Sequence, residues 1–344
     1  MLELYIGTYT GVNGGIYHAR FNLETGELSN PELAAKADNP SFLALSPDGK
    51  SLYAVGEVKG ELSAYAVAED GGLTYLNTVP TEGAYPCHLA VDAAGRNVYV
   101  ANYGTGNAIA CHILRDGSLV PFRANFQNAG TGPNPNRQEG PHMHSVYLDA
   151  KGRNLYACDL GTDEVLLFCL EGLKDESTLG EPRRFKVPAG AGPRHLSFHP
   201  SGKFLYVNGE MGNMVIVHSV DESGGLTQIQ TLSTVPADWT QGGGTAEIAI
   251  HPNGKWLLVS NRGHDSVAIY ALGEDGKLTL KEIPSAGVAE PRHFALTPDG
   301  KWLLVEGQNS KDIAVFAFDP ETGHPTLKGK TEMPDKPVCI VFRS

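Results

Sequence analysis

Residues 192–210 read GPRHLSFHPSGKFLYVNGE and contain two largely apolar runs joined by a glycine turn. Apolar and polar residues alternate in the first run, and the second run begins at Leu205 after the turn at Gly202. Alternation places successive side chains on opposite faces of a strand, and a glycine between two such runs is typical of a tight turn. The segment is therefore predicted to form a β-hairpin.

The same hairpin pattern recurs along the chain. The further copies are NPSFLALSPDGKSLYAVGE from Asn39, YPCHLAVDAAGRNVYVANY from Tyr85, HMHSVYLDAKGRNLYACDL from His142, GTAEIAIHPNGKWLLVSNR from Gly244 and EPRHFALTPDGKWLLVEGQ from Glu290. The turn glycines at 49, 95, 152, 202, 254 and 300 are separated by 46, 57, 50, 52 and 46 residues. A period of roughly 50 residues is typical of propeller blades with four strands each.

A second series of turns alternates with the first and leads into an outer strand. These turns lie near the glycines at 26, 71, 117, 224, 276 and 323, and KDESTLGE after Leu173 supplies a looser seventh copy. The seventh inner hairpin is missing from the pattern. Residues 4–6 match residues 205–207, so they are predicted to pair with residues 338–342. Such pairing would close the ring and remove exposed strand edges.

The two series of turns predict an all-β fold. We expect one domain over residues 1–344, a seven-bladed β-propeller with four antiparallel strands in each blade. An α/β fold with two domains has little support, because no segment of about 10 to 15 residues has helical periodicity.

The composition restricts the partners and the compartment. A formal net charge of −12 argues against nucleic acid and anionic membranes, so an anionic ligand must meet a local basic site. Five cysteines without paired spacing argue against a disulfide framework and a zinc site. The opening MLELYIGTYT lacks a secretory pattern, and no stretch reaches the roughly 20 apolar residues that span a bilayer. We therefore expect a cytoplasmic protein.

No glycine loop for phosphate, dinucleotide fingerprint or nucleophilic serine elbow is present in the sequence. We therefore expect neither a nucleotide cofactor nor covalent serine catalysis. The sequence leaves the oligomeric state open.

The variable positions of the repeat lie at the open end of each hairpin, opposite the glycine turn. Seven such ends in a ring would form one mouth of the channel, where a small-ligand site needs different groups from different blades. Three positions, counted from the turn glycine, vary and carry charge: eight before it (Ser41, Cys87, His144, Arg194, Ala246, Arg292), seven before it (Phe42, His88, Ser145, His195, Glu247, His293) and eight after it (Glu57, Tyr103, Leu160, Glu210, Arg262, Gln308). The two longest insertions, residues 124–140 and 235–244, are predicted at the same mouth.

Arg194 and Arg292 are candidates for anion binding, because guanidinium groups bind phosphate or carboxylate through two parallel hydrogen bonds. Alternatively, they bridge blades through salt bridges. Glu210 either neutralises Arg194 or acts beside positive charge to activate water. The other charged residues predicted to contact substrate are Glu57, Arg137, Glu247 and Arg262.

The histidines of the mouth fall into two groups. His88, His195 and His293 recur in three blades, which favours a link between neighbouring blades and leaves substrate contact by His195 and His293 as the alternative. His142 and His144 alternate on one strand without an evident carboxylate partner, which is a weak metal pattern. We therefore expect no metal and assign both to the ligand site.

Several segments resemble the propeller-type 6-phosphogluconolactonase family, which includes the fungal carboxy-muconate lactonizing enzymes. They are YIGTYT, NPSFLALSPDGKSLYAVGE, GPNPNRQEGPHMHSVYLD, GPRHLSFHPSGKFLYVNGE, TAEIAIHPNGKWLLVSNRG and EPRHFALTPDGKWLLVEGQ, and they cover essentially the whole chain. The resemblance implies a seven-bladed propeller and, for bacterial members, hydrolysis of 6-phosphogluconolactone in the pentose phosphate pathway. The muconate branch uses a His, a Glu and two Arg, and the matching positions here are His144, Glu210, Arg194 and Arg292.

The charged mouth favours lactone hydrolysis. In this hypothesis Glu210 or His144 activates water, one of the two PRH arginines stabilises the oxyanion, and the other binds the substrate phosphate with Arg137. A cycloisomerase or lactonase acting on a carboxylated substrate would use the same arginines, and this alternative stays open. A non-enzymatic interaction platform predicts an apolar or aromatic exposed face, which the charged mouth does not match.

Overall fold

The computed structural model describes residues 1–10, 14–171 and 178–343, and every regular element in these ranges is a β-strand. The strands form seven four-stranded antiparallel sheets. The predicted seven-bladed all-β propeller is therefore confirmed. In the described ranges, no helix is long and apolar enough to cross a membrane.

The four strands of each blade follow one another from the channel to the outer edge. Blade 1 contains β28 (Lys336–Arg343), β1 (Leu2–Tyr9), β2 (Gly15–Phe21) and β3 (Glu32–Lys36); blade 2 contains β4 (Leu43–Leu45), β5 (Ser51–Gly56), β6 (Glu61–Val67) and β7 (Leu73–Pro80). Blade 3 contains β8 (Pro86–Val91), β9 (Asn97–Asn102), β10 (Asn107–Ile113) and β11 (Leu119–Gln127); blade 4 contains β12 (Met143–Leu148), β13 (Asn154–Asp159), β14 (Glu164–Cys169) and β15 (Arg183–Lys186). Blade 5 contains β16 (Pro193–Phe198), β17 (Phe204–Gly209), β18 (Met214–Val220) and β19 (Leu226–Ser233); blade 6 contains β20 (Gly244–Ile250), β21 (Trp256–Arg262), β22 (Ser266–Leu272) and β23 (Leu278–Glu282). Blade 7 contains β24 (Pro291–Leu296), β25 (Trp302–Gly307), β26 (Asp312–Phe318) and β27 (Pro325–Glu332).

The two ends of the chain close the ring. Strand β1 pairs with β28 in antiparallel register, with Leu4 opposite Phe342 and Ile6 opposite Ile340. The innermost strands then contact one another in order around the channel, and β28 lies between β24 and β4. The predicted pairing of the first and last strands is confirmed, and blade 1 is completed by residues from both ends.

The inner hairpins turn at the predicted glycines. Gly202 has a φ of +69°, a conformation that strains residues with a Cβ, and its amide donates to the carbonyl of His199 at 2.8 Å. The imidazole of His199 accepts from the amide of Ser201 at 3.1 Å and so supports the same turn. The looser outer turn in KDESTLGE covers residues 174–181, and residues 174–177 of it lie outside the described ranges.

Neighbouring blades are joined by apolar contacts and by buried hydrogen bonds. The described core divides into seven clusters, each formed by two neighbouring blades. An aromatic side chain of the second strand also donates to a backbone carbonyl of the outer turn in the next blade. These bonds are Tyr5 to Gly71 at 2.9 Å, Tyr53 to Gly117 at 3.1 Å, Tyr156 to Gly224 at 2.7 Å, Tyr206 to Gly276 at 2.9 Å, Trp256 to Pro320 at 2.8 Å and Trp302 to Leu23 at 2.8 Å.

Replacing Tyr206 by phenylalanine tests the value of one such bond. Tyr206→Phe leaves the ring in place but removes the donor to a buried carbonyl, so the free energy of unfolding is expected to fall by about 1 to 2 kcal/mol. Tyr75→Phe is the matched control, because its exposed hydroxyl bonds only to Thr78 within blade 2. Urea denaturation measures both variants, and equal losses would contradict a special role for the bonds between blades.

Candidate active site

The open ends of the inner hairpins are fixed by backbone hydrogen bonds. In blade 5 the amide of Glu210, just after β17, donates to the carbonyl of Gly192, just before β16, at 2.8 Å. In blade 2 the amide of Glu57 donates to the carbonyl of Asn39 at 3.2 Å. Each bond holds a mouth residue against the start of its innermost strand, so side chains from separate blades are held on rigid elements around the channel.

Glu210 lies among three guanidinium groups. Its Oε2 lies 3.1 Å from Nε of Arg194 and 3.0 Å from Nη2 of Arg262 in two salt bridges, and its Oε1 accepts a hydrogen bond from Nη2 of Arg137 at 2.7 Å. Glu210 and Arg194 are only 6% and 3% exposed. The carboxylate therefore joins blade 5, blade 6 and the insertion of residues 124–140.

The insertion that carries Arg137 is held in place by Gln138. This side chain is fully buried, and its amide nitrogen donates to the carbonyl of Leu160 at 2.8 Å. Its amide oxygen accepts from the backbone of Asn134 at 3.1 Å. The first bond ties the insertion to blade 4, and the second lies within the insertion and fixes the loop that carries Arg137.

The charges of the cluster determine what Glu210 can do. Burial acts to raise the pKa of Glu210, but Arg262, Arg194 and then Arg137 outweigh burial and lower it to about 2. Burial, followed by repulsion from Arg262 and Arg292, lowers the pKa of Arg194 to about 10, so this guanidinium stays protonated at neutral pH. Glu210 is therefore an ionised carboxylate with little affinity for a proton.

His144 is a neutral base beside this carboxylate. Its Nε2 lies 3.9 Å from Oε2 of Glu210, and its Nδ1 lies 3.8 Å from the sulfur of Cys87. Burial first, and then the charge of Arg194, lower the pKa of His144 well below its usual value. At neutral pH the imidazole can therefore accept a proton.

His142 does not join His144. Its ring stacks on Tyr103 with a centroid separation of 4.6 Å, and its Nδ1 contacts the Tyr103 carbonyl at 3.0 Å. Its Nε2 contacts a carboxylate oxygen of Glu139 at 3.2 Å. The polar atoms of the two histidines therefore face different partners. The described residues contain no group of three or more His, Cys, Asp or Glu that could hold a metal ion.

Arg292 is the mouth arginine that Glu210 does not bind. Its Cζ lies 5.1 Å from the centre of the Tyr9 ring, and it forms no salt bridge with any described residue. Burial acts to lower its pKa, but Tyr9, Glu57 and Glu210 outweigh burial and raise it. Arg292 is thus a cation available to a ligand, in a pocket lined by Tyr9, Ser41, Phe42, Glu57, Cys87, Arg194, His195, Arg292, His293 and Val338.

A row of buried imidazoles and carboxylates lies at the base of this pocket. Nδ1 of His195 contacts Glu247 at 3.0 Å, Nε2 of His293 contacts Glu247 at 3.5 Å, and Nδ1 of His293 contacts Glu306 at 3.0 Å. Burial acts to raise the pKa of Glu247, but His195 and His293 lower it to about 2, and burial lowers the pKa of His195 to about 4. Burial raises the pKa of Glu306. The row crosses from blade 7 to blade 5 and ends beside Arg194.

The recurrent histidines also connect neighbouring blades, as one of the two sequence hypotheses requires. Nδ1 of His88 accepts from the amide of Val146 at 3.4 Å, and Nδ1 of His293, which contacts Glu306, lies 3.3 Å from the amide nitrogen of Ile340. His195 reaches blade 6 through Glu247. Since His195 and His293 also line the pocket, a structural link and ligand contact are compatible for these two residues.

Glu306, Tyr9 and Ser41 were not predicted as site residues from the sequence. Glu306 lies six residues after its turn glycine, and the same position in the other inner hairpins is occupied by Val55, Ala101, Cys158, Asn208 and Ser260. The single charged residue in that series is a signal that could have found it. Tyr9 is the last residue of β1. The N-terminal strand follows no turn glycine in the sequence, so its residues could not be counted from one.

Acidification tests the charge balance of Glu210. Because its folded pKa is depressed, the stabilisation by ionised Glu210 is present above the ordinary pKa of 4.5 and is lost as the pH falls toward 2. Glu210→Gln is expected to lose about 3 kcal/mol of unfolding free energy at neutral pH. Its stability should also fall less steeply than that of the wild type between pH about 5 and pH about 3.

Urea denaturation across this pH range measures both effects. Glu321→Gln serves as the control, because Glu321 pairs with Lys255 on the exposed surface. Parallel pH dependences for Glu210→Gln and the wild type would show that the three arginines do not depress this pKa.

Residues 3–342 match the model of the family Lactonase, 7-bladed beta-propeller. The chain is 34% identical to the 6-phosphogluconolactonase of Bacillus subtilis, over 98% of this chain and 97% of that protein. It is similar in structure to the periplasmic gluconolactonase of Pseudomonas aeruginosa, with 30% identity, a TM-score of 0.93 and coverage of 100% of this chain and 99% of that one. A protein from Lactobacillus plantarum has 33% identity, a TM-score of 0.93 and full coverage of both chains. The chain belongs to the seven-bladed β-propeller lactonase family.

Proposed function

We propose that this chain hydrolyses 6-phosphogluconolactone to 6-phosphogluconate. The observation that carries the proposal is the convergence of a neutral imidazole, His144, an ionised carboxylate, Glu210, and an arginine without a carboxylate partner, Arg292, at one mouth. The family and the name of the Bacillus subtilis relative support this substrate. Water adds to the ester carbonyl, the ring C–O bond breaks, the leaving alkoxide takes up a proton, and the second proton of water is released.

His144 activates the water. A separation of 3.9 Å between Nε2 of His144 and Oε2 of Glu210 is too long for a direct hydrogen bond and suits a water that contacts both groups. The imidazole takes the proton, and the adjacent carboxylate stabilises the imidazolium. With a pKa of about 2, Glu210 orients this water and does not serve as the base. Of the two bases that the sequence left open, this proposal takes His144.

Arg292 stabilises the oxyanion that forms on the lactone carbonyl. Its guanidinium is not engaged by a described carboxylate and lines the pocket with Tyr9 and Cys87. Preorganised donors aimed at developing charge supply a large part of the rate enhancement in acyl transfer. Arg194 has a different role, because its guanidinium binds Glu210 and the carbonyl of Ala246. It holds the carboxylate beside His144.

Arg137 binds the substrate phosphate. Its side chain is 44% exposed at the rim, and only one of its nitrogen atoms contacts Glu210. The other donors of the guanidinium fork are suited to phosphate. The negative net charge of the chain makes such a local cation necessary for an anionic substrate.

We place this activity in the cytoplasm. The five cysteines are all free thiols, four of them buried, which suits a reducing compartment. The Pseudomonas aeruginosa relative, by contrast, is named as periplasmic. Cell fractionation tests the location.

The oxyanion role is tested by replacing Arg292. Arg292→Ala is expected to lower kcat for 6-phosphogluconolactone by about a hundredfold to a thousandfold, because one preorganised donor is lost. Ring opening above the spontaneous rate is the measurement. Arg115→Ala, at the turn of an outer hairpin in blade 3, is expected to leave the rate unchanged. An undiminished rate in Arg292→Ala would contradict the assignment.

The pH dependence of the reaction tests His144 as the base. Since burial and Arg194 lower its pKa, the active neutral form is lost only as the pH falls well below 6.5. The acidic limb of kcat/KM for ring opening should therefore lie below pH 6.5 and disappear in His144→Gln along with most of the activity. A wild-type limb at or above this pH, or an unchanged profile in His144→Gln, would contradict the role.

A further inference from the structure

Ser41 contributes a buried and unpaired hydroxyl to the mouth pocket. Ser41 is 6% exposed, and its Oγ has no hydrogen-bond partner among the described residues. Leaving a buried polar group unpaired is unfavourable, so such a group needs an explanation. Because Ser41 lines the same pocket as Arg292, a ligand hydroxyl is placed to pair with it.

Glu57 lies in the wall of the same pocket and has unused acceptor capacity. The hydroxyl of Tyr9 donates to its carboxylate, at 2.9 Å from Oε2 and 3.1 Å from Oε1. Burial, and then Glu57 itself, raise the pKa of Tyr9, so the phenol keeps its proton and remains a donor. A carboxylate has about four acceptor positions, so Glu57 can accept further hydrogen bonds from a ligand.

Ser41 and Glu57 are fixed relative to each other by one carbonyl. The backbone oxygen of Asn39 accepts from the amide of Ser41 at 2.7 Å and from the amide of Glu57 at 3.2 Å. Asn39 has a φ of +48°, in the left-handed region that Asn tolerates better than most residues, and its side chain accepts from the amide of Thr10 at 3.2 Å. The pair is therefore preorganised before a ligand arrives.

The repeat supplies an internal comparison for this pair. In blade 5 the positions that correspond to Ser41 and Glu57 are occupied by Arg194 and Glu210, which bind each other. In blade 2 the arginine is replaced by serine, and no described lysine or arginine forms a salt bridge with Glu57. Three arginines pair with Glu210, whereas Glu57 accepts from Tyr9 and retains acceptor positions for a ligand.

We propose that Ser41 and Glu57 form a subsite that binds hydroxyl groups of a sugar lactone. This inference rests on the proposed hydrolysis and determines the class of lactone. The Glu57 carboxylate accepts hydrogen bonds from hydroxyl groups of the lactone ring, and Ser41 pairs with another hydroxyl. Arg292 holds the carbonyl of the same ring. The negative charge of Glu57 repels a carboxylate at this point, so the subsite selects a polyhydroxylated lactone over a carboxylated one.

Two lactones that differ in their hydroxyl groups test the subsite. Kinetics are measured with glucono-1,5-lactone, which carries the ring hydroxyls, and with δ-valerolactone, which lacks them. Ser41→Ala and Glu57→Gln are each expected to lower kcat/KM for glucono-1,5-lactone by about tenfold, the equivalent of one hydrogen bond to a charged or buried group. Both variants should lose less kcat/KM for δ-valerolactone than for glucono-1,5-lactone, because δ-valerolactone has no hydroxyl to contact the subsite. Glu61→Gln, in the same blade but outside the pocket wall, should leave kcat/KM unchanged for both substrates.

Equal losses of kcat/KM for both lactones, or no loss for either, would overturn the proposed subsite. Calorimetric binding of gluconate separates failure of the subsite from failure of the hydrolysis. If the wild type opens neither lactone but binds gluconate about tenfold more tightly than Ser41→Ala and Glu57→Gln, the hydrolysis is wrong and the subsite stands. If the wild type does not bind gluconate, or binds it no better than these variants, the subsite is wrong.

Discussion

The pairing of β1 with β28 governs both the ring and the site, because it completes blade 1, which lies between blade 7 and blade 2. The mouth pocket lies across this junction. Tyr9 comes from β1 and Val338 from β28, while Arg292 belongs to blade 7 and Glu57 to blade 2. Tyr9 contacts both of these charged residues, with its ring toward the guanidinium and its hydroxyl toward the carboxylate. Closure of the ring therefore shapes the pocket as well as stabilising the fold.

Electrostatics divide the charged residues of the mouth into those paired within the protein and those outside such pairs. Burying a charge is costly unless opposite charges and hydrogen bonds compensate, and the mouth contains several buried charges. Glu210 compensates three arginines from separate segments, and Glu247 contacts His293 and also His195, whose lowered pKa keeps it neutral. Arg292 and Glu57 remain outside these two sets, and Tyr9 contacts both. In the proposed function these two residues meet the lactone ring, Glu210 holds the water at His144, and Arg137 extends from its pair with Glu210 to the phosphate.

The fold was predictable because each blade repeats the same alternation and the same turn, so the six hairpins reinforce one another as evidence. The charged positions of the mouth were predictable because they lie in repeat positions that vary and carry charge, as Arg194 and Glu210 do, whereas the apolar positions are uniform. The partners were not, since the three arginines of Glu210 meet across the ring at distances that no sequence spacing encodes. His142 and His144 diverge because the register of β12 and β13 is irregular between Met143 and Ser145, which breaks the alternation that the pattern assumes. Ser41 gave no signal because a serine is an ordinary residue in a variable column.

In the proposed function, one mouth of the propeller binds a sugar-acid lactone with its carbonyl at Arg292. The decisive measurement is a crystal structure of the protein with 6-phosphogluconate bound. We expect the product carboxylate to contact Arg292, hydroxyl groups to contact Glu57 and Ser41, and the phosphate to lie at Arg137. Binding of the product at the opposite face of the ring, or with its carboxylate at Glu57 and its phosphate away from every mouth arginine, would refute this binding mode.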